Sequence, residues 1–197
     1  MKLRSAAALA LLAAVAFAAW RGNLYSVARP GDRARPLMLE PLAERAPARL
    51  DVVLPAVPVG MVRLKAGGDV LLVHYWAPWE RHAREQATRL DSLRRLPELE
   101  PLRAVLVCFD PFPSVARYVA RQRLRLPVLL DGQAELRRTL PCPSLPYTYV
   151  LDRSGRIAIA QPGEVDWWDL ATRAALGRLI GEADREMPPG PDRSRAS

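Results

Sequence analysis

The stretch VLLVHYWAPWERHA, residues 70–83, changes character half-way along. Residues 70–76 are apolar, rich in branched and aromatic side chains and broken only by His74, a pattern suited to a strand covered on both faces. From Glu80 to about residue 96 the apolar positions fall at Ala83, Ala87, Leu90, Leu93 and Leu96. Spacings of three and four predict one buried face of a helix. Trp76 and Trp79 bracket the junction, with Trp76 expected in the core and Trp79 at the rim.

Working outward, residues 102–109 repeat the buried-strand signature, 114–123 read as a short helix with Val115, Tyr118 and Val119 inward, and PVLLD at 127–131 is extended. This is a βαβ order. Residues 147–151 and 157–160 are two strands joined by Asp152-Arg153-Ser154-Gly155, a turn whose glycine supplies positive φ, so they form an antiparallel hairpin. An amphipathic helix over about 168–180 closes the unit. The expected class is α/β: a central mixed sheet, βαβ plus ββα, flanked by helices on both faces in three layers. Ahead of it, VVLPAVPV and MVRL suggest two short strands broken by proline, with Gly67-Gly68 turning into the next element.

The ends read differently. Lys2 and Arg4 precede an apolar run over residues 6–20, closed by Arg21, so residues 1–20 are expected to be a signal peptide or an N-terminal membrane anchor. In either case the positive-inside bias puts the downstream chain outside the cytoplasm, tethered to the inner membrane through residues 5–20 if they are not cleaved. Residues 21–50 carry prolines and arginines without a sustained period and read as a linker, of which 37–42 could dock. The folded domain is expected over 51–184 and a disordered tail over 185–197. The net charge of +8 comes almost wholly from arginines interleaved with Glu and Asp, so no basic stripe forms and nucleic-acid binding is not expected. With only two cysteines, Cys108 and Cys142, a disulfide-dense scaffold is excluded, and spacing alone does not say whether they pair.

The segments LLVHYWAPW, AVLVCFD, LPVLLD, SLPYTYVLDRSGRI and PGEVDW stand in an order and spacing that resembles the thioredoxin fold, and within it the TlpA/ResA-like group of membrane-anchored or exported thiol-disulfide reductases (redoxins). The resemblance covers roughly residues 70–180. It places Trp76, Ala77 and Trp79 at the group's aromatic and alanine positions and Pro146 at its cis-proline. It also implies a Cys-x-x-Cys pair at the start of the following helix, where this chain has Glu80 and Ala83 instead. Gln86 and Thr88 likewise replace an acidic residue and a proline of the group's pattern.

Those replacements bear on chemistry. Thiol-disulfide exchange needs a thiolate to attack a disulfide sulfur and a second thiol to resolve the product. Neither a carboxylate nor a methyl group does this. Glu80 is expected instead as a helix-start residue whose negative charge contributes ~0.3–1 kcal/mol at the helix N-terminus. Cys142, four residues before Pro146, is the candidate thiol of an alternative single-cysteine oxidoreductase, and an inert, packed thiol is the plainer expectation. His74 is expected to be buried with a hydrogen-bond partner and His82 to be solvated. Together with Glu80 they do not converge as zinc ligands, so no metal and no cofactor are expected. The resemblance also implies a partner-binding surface of Trp79, Phe109, Leu145 and Pro146. The expected function is an envelope binding or assembly factor that engages periplasmic protein partners without dithiol redox activity.

Overall fold

The computed structural model describes residues 26–27, 34–80 and 82–186, without the side chains of 26, 27 and 183–186. The segment expected at residues 1–20, most of the linker before residue 34, and the tail from 187 lie outside the described residues.

Among the described residues, nine strands and three α-helices form around one large sheet. The strands are β1 (Ser26–Val27), β2 (Asp51–Val57), β3 (Met61–Lys65), β4 (Val70–Tyr75), β5 (Leu102–Cys108), β6 (Val128–Leu130), β7 (Ser144–Leu145), β8 (Tyr147–Leu151) and β9 (Ile157–Pro162). The helices are α1 (Ala83–Leu93), α2 (Phe112–Gln122) and α3 (Leu170–Glu186). Seven strands run in the order β3-β2-β6-β5-β4-β8-β9, while β1 and β7 form a separate parallel pair. The pairs β4·β5 and β5·β6 are parallel, and β2, β3, β8 and β9 add antiparallel, giving the mixed α/β sheet expected from the alternating pattern. No helix among the described residues is long and apolar enough to cross a membrane.

Every residue of β4 is buried, because the strand lies between β5 and β8 and both of its faces are covered. Its even-numbered side chains, Leu72 and Trp76 just beyond it, join one core with Ala87 and Leu90 of α1, Val115 of α2 and Leu176 of α3. The odd-numbered Leu71, Val73 and Tyr75 join a second core with Leu54, Leu64, Leu136 and Leu140. All three helices therefore draw their buried side chains from the first core. The second core takes its side chains from sheet strands, Leu54 of β2 and Leu64 of β3 among them, and from Leu136 and Leu140 of the irregular segment 132–143, where the alternating pattern predicts helices on both faces. A helical period reports that a face is buried, not which side of the sheet it meets.

The hairpin turn forms as its residues predict. Gly155 adopts φ 78°, and a Cβ there would come within 3.1 Å of the Ala66 Cβ. Asp152 Oδ1 accepts from the Ser154 N–H (3.0 Å), the Ser154 hydroxyl (2.7 Å) and the Arg156 N–H (2.9 Å).

Residues 34–50 differ from the linker reading. Leu37 is 3% exposed, the backbones of Arg35 and Val165 are bridged, and Ile157 N–H donates to Ala46 O at 2.8 Å. Arg45 is buried and paired with Asp152 (3.1 Å) and Glu182 (2.6 Å). A segment without periodicity still folds when its backbone and a few side chains find partners on an existing surface.

Candidate functional site

The junction between β4 and α1 is built by a sheet hydrogen bond followed by a turn. Trp76 N–H donates to Val107 O at 3.0 Å, which carries the chain one residue past the strand, and its ring packs fully buried against Tyr118 at a centroid distance of 4.9 Å. Glu80 N–H then donates to Ala77 O, Ala83 N–H to Glu80 O, and Gln86 N–H to His82 O, where the helical ladder begins. His82 is the N-cap. Glu80 thus stands in the turn ahead of the helix, not within its first turn. Trp79, on the same turn, is 56% exposed.

The electrostatics follow from that placement. Glu80 is 9% exposed, and its Oε2 has no hydrogen-bond partner among the described residues. Burial first, and the nearby Glu164 carboxylate second, raise its pKa, with His82 opposing. This corrects the expectation of a helix-start carboxylate held charged by the dipole: the surroundings disfavour the charge. His82, expected to be solvated, bonds through Nδ1 to Glu164 Oε1 and ties the start of α1 to the segment after β9. Tyr118, beneath Trp76, has its hydroxyl pKa raised to about 12 mainly by burial.

Gln86 explains one of the replaced positions. Its Oε1 accepts from the Val165 N–H (3.2 Å) and the Trp167 indole N–H (2.7 Å), while its Nε2 donates to Val165 O (3.1 Å). A buried amide satisfies three groups that an acidic side chain would leave partly unpaired. His74 is buried with Nδ1 at 2.9 Å from Thr148 Oγ1 and its ring edge-on to Trp167 at 5.3 Å. Burial lowers its pKa to about 3, so it is a neutral core imidazole.

The two cysteines lie in different cores. Cys108 belongs to the helix-side core and its Sγ donates to Asp110 Oδ2 at 3.3 Å; burial raises its pKa. Cys142 packs against the second core, partly buried, with its Sγ donating to Ser144 O at 3.1 Å and its pKa pushed up to about 12, chiefly by burial. Both are free thiols. Neither has the electropositive, accessible setting that makes a thiolate.

The expected binding quartet is only partly at the surface. The Leu145–Pro146 bond is cis, and the register Tyr75↔Tyr147 puts Pro146 beside the end of β4, next to the junction. Pro146 is nonetheless buried, and Leu145 is 1% exposed within the second core, so Leu145 is a packing residue. Phe109 is half-buried beneath the Arg137 guanidinium, 4.0 Å above its ring. Trp79 is the member that presents a large apolar face. Glu164 is a site residue that sequence reasoning misses: its segment PGEVDW stands out along the chain, but its contact with His82, remote in sequence, is not legible there. An open groove of about 510 Å³ lies between β2 and α2, walled by Val53, Met61, Phe109 and Phe112, and neither cysteine lines it. Among the described residues no three His, Cys, Asp or Glu side chains converge to hold a metal ion. The junction brings carboxyl and imidazole groups together but holds no sulfur atom able to form a mixed disulfide.

No protein-family model and no curated protein matches the chain. Solved structures do. A thiol:disulfide interchange protein of the thioredoxin family from Chlorobium tepidum superposes with a TM-score of 0.58 at 18% identity, covering 67% of this chain and 97% of its own. StoA from Bacillus subtilis gives 0.55 at 15% identity over 66% and 97%. A thioredoxin-like protein from Porphyromonas gingivalis gives 0.55 at 16% identity over 70% and 95%. At such identities the likeness establishes the fold, which is thioredoxin-like, as the segment order implied.

Proposed function

We propose that this thioredoxin-like chain is an extracytoplasmic binding or assembly factor, tethered or released through its N-terminal apolar segment, that has no dithiol redox activity. The observation that carries the reading is the sulfur-free junction. Glu80 and Ala83 occupy the positions where the resemblance implies the redox cysteines, and the two thiols present lie in separate cores with raised pKa values. What the junction offers a partner is the exposed Trp79, on a turn braced by buried Trp76 and by the Pro146 loop. An exposed Trp on a rigid turn is the kind of side chain that anchors protein interfaces.

Insulin reduction and peroxidase assays on the purified full chain test the redox half of the reading, with no turnover above a Cys142→Ser control expected. Robust turnover lost in Cys142→Ser would instead establish a single-cysteine oxidoreductase, the reading favoured by the partial exposure of Cys142. Envelope pull-downs comparing wild type with Trp79→Ala test the binding half, with loss of captured partners expected in the variant.

A further inference from the structure

The groove between β2 and α2 lies outside the carboxyl ends of two parallel strands, where open α/β sheets hold their ligands. Phe109 and Phe112 follow β5, Leu130 ends β6, and the far wall is Val53 of β2 with Met61 of β3. The Phe109 ring is 5.6 Å from that of Tyr75 at the end of β4, so the groove opens at the same end of the sheet as the junction, one strand over. Its walls are apolar and yet in water: Val53 and Phe112 are exposed, and Met61 is 63% exposed. Large apolar side chains gathered around a concavity mark a docking surface, as the same residues scattered singly do not. The volume of about 510 Å³ is that of a ligand cleft. Because the groove is open, its occupant keeps one side in solvent, which suits a chain segment running past both ends better than a small molecule, whose surface a cleft encloses by ~70–90%.

The charge of the groove runs against that of the chain. The sequence carries 29 Lys and Arg against 21 Asp and Glu, but the ionisable side chains lining the groove are Asp110 and Glu135. These two carboxylates are not equivalent. Asp110 accepts from the Cys108 thiol at 3.3 Å and stands just ahead of the amino end of α2, whose positive partial charge offsets part of its own. Glu135 has no hydrogen-bond or ion-pair partner among the described residues. Arg137, whose guanidinium covers the Phe109 ring, is taken up by Asp131 at 3.2 Å. A complementary surface therefore brings a cation to Glu135 together with an apolar group for the walls.

We propose that this groove docks an extended segment of a protein partner in which a large apolar side chain, seated between Met61 and Phe112, stands within a few residues of a Lys or Arg that meets Glu135. That the occupant is a partner protein rests on the binding role given above; the groove's preference for apolar and cationic groups does not.

The probe is a displayed library of random dodecapeptides panned against the purified full chain. Enriched sequences are expected to pair an aromatic or long aliphatic residue with a Lys or Arg no more than three positions away. A synthetic peptide of the enriched sequence is expected to bind Met61→Ser at least tenfold and Glu135→Gln at least fivefold more weakly than wild type, and to bind Trp79→Ala within twofold of wild type. Glu135→Gln, which keeps the side chain's shape, reads the same contact should Met61→Ser lower the melting temperature. No enrichment, enrichment of acidic or uncharged sequences, or binding unchanged in both groove variants overturns the proposal. So does a dimer in sedimentation equilibrium that dissociates in Met61→Ser, which would give the groove to a second copy, and so does competition by a peptide of residues 187–197, which would give it to the chain's own tail. None of these results bears on the Trp79→Ala envelope pull-down, whose failure would remove the junction and leave the groove standing.

Discussion

Gln86 on α1 accepts the indole N–H of Trp167 at 2.7 Å, and the same side chain exchanges two hydrogen bonds with the backbone of Val165. All of these groups are buried, so the helix that follows the junction and the segment leading into α3 are joined by one amide. Replacing Gln86 by Ala leaves an indole N–H, a backbone N–H and a carbonyl without partners in the core. Denaturant unfolding is expected to show a loss of about 2–4 kcal/mol, and Gln86→Glu, which keeps the acceptors but removes the donor and adds charge, is expected to fall at least as far.

His74 imposes a pH dependence. Its folded pKa of about 3 lies below the ordinary value near 6.5, so the unfolded chain takes up the proton first as pH falls. The stability is fully present above pH 6.5 and is lost progressively between there and pH 3. From pH 7 to pH 5 the loss from this one group is about 2 kcal/mol. His74→Asn is expected to flatten that slope in thermal melts; a slope unchanged in the variant would show that the imidazole titrates normally.

Glu80 acts in the opposite sense. Burial and Glu164 raise its pKa, so its contribution is favourable while it is protonated and is lost as pH rises through the folded value. Glu80→Gln, which keeps the shape and removes the charge, is expected to raise the melting temperature at pH 7–8, with the gain vanishing below about pH 4, where the free carboxyl is itself protonated. A loss of stability at neutral pH would show that the ionised carboxylate is compensated in the fold.

Arg45 pins the N-terminal arm. Its guanidinium bonds Asp152 at 3.1 Å and Glu182 at 2.6 and 3.0 Å, and its Nε donates to Glu40 O. Burial alone would raise the Asp152 pKa, but the Arg156 N–H, the Ser154 hydroxyl and Arg45 together hold it below the usual carboxylate range. Arg45→Ala leaves that carboxylate buried without its cation, at an expected cost of about 3 kcal/mol or more. Limited proteolysis is expected to cleave within residues 34–50 in the variant and to spare them in wild type.

Much of this molecule was legible along the chain. The alternation of apolar runs with helical spacing located the central strands and, among the described residues, α1 and α2 to within a few residues and the start of α3, which runs six residues past its expected end, because each element's period records its own burial. The absence of sulfur at residues 80 and 83 was equally plain, since identity at a position needs no geometry. His74 was expected to be buried with a polar partner, and Thr148 is that partner.

Other features needed the folded chain. The bond from His82 to Glu164, the amide bridge of Gln86, the docking of residues 34–50 and the pairing of Ser26–Val27 with Ser144–Leu145 each join segments far apart in sequence. Leu145 shows why: one cis bond from an exposed-looking proline loop, it points into a core formed by strands and turns from the whole chain. The kinds of element, their order and the atoms missing from the junction were readable residue by residue, because periodicity and identity are local properties. Which face each helix covers, which charges meet and which rim residue is exposed emerged with the packed fold, because those depend on the distances that sheet order and packing impose between remote residues.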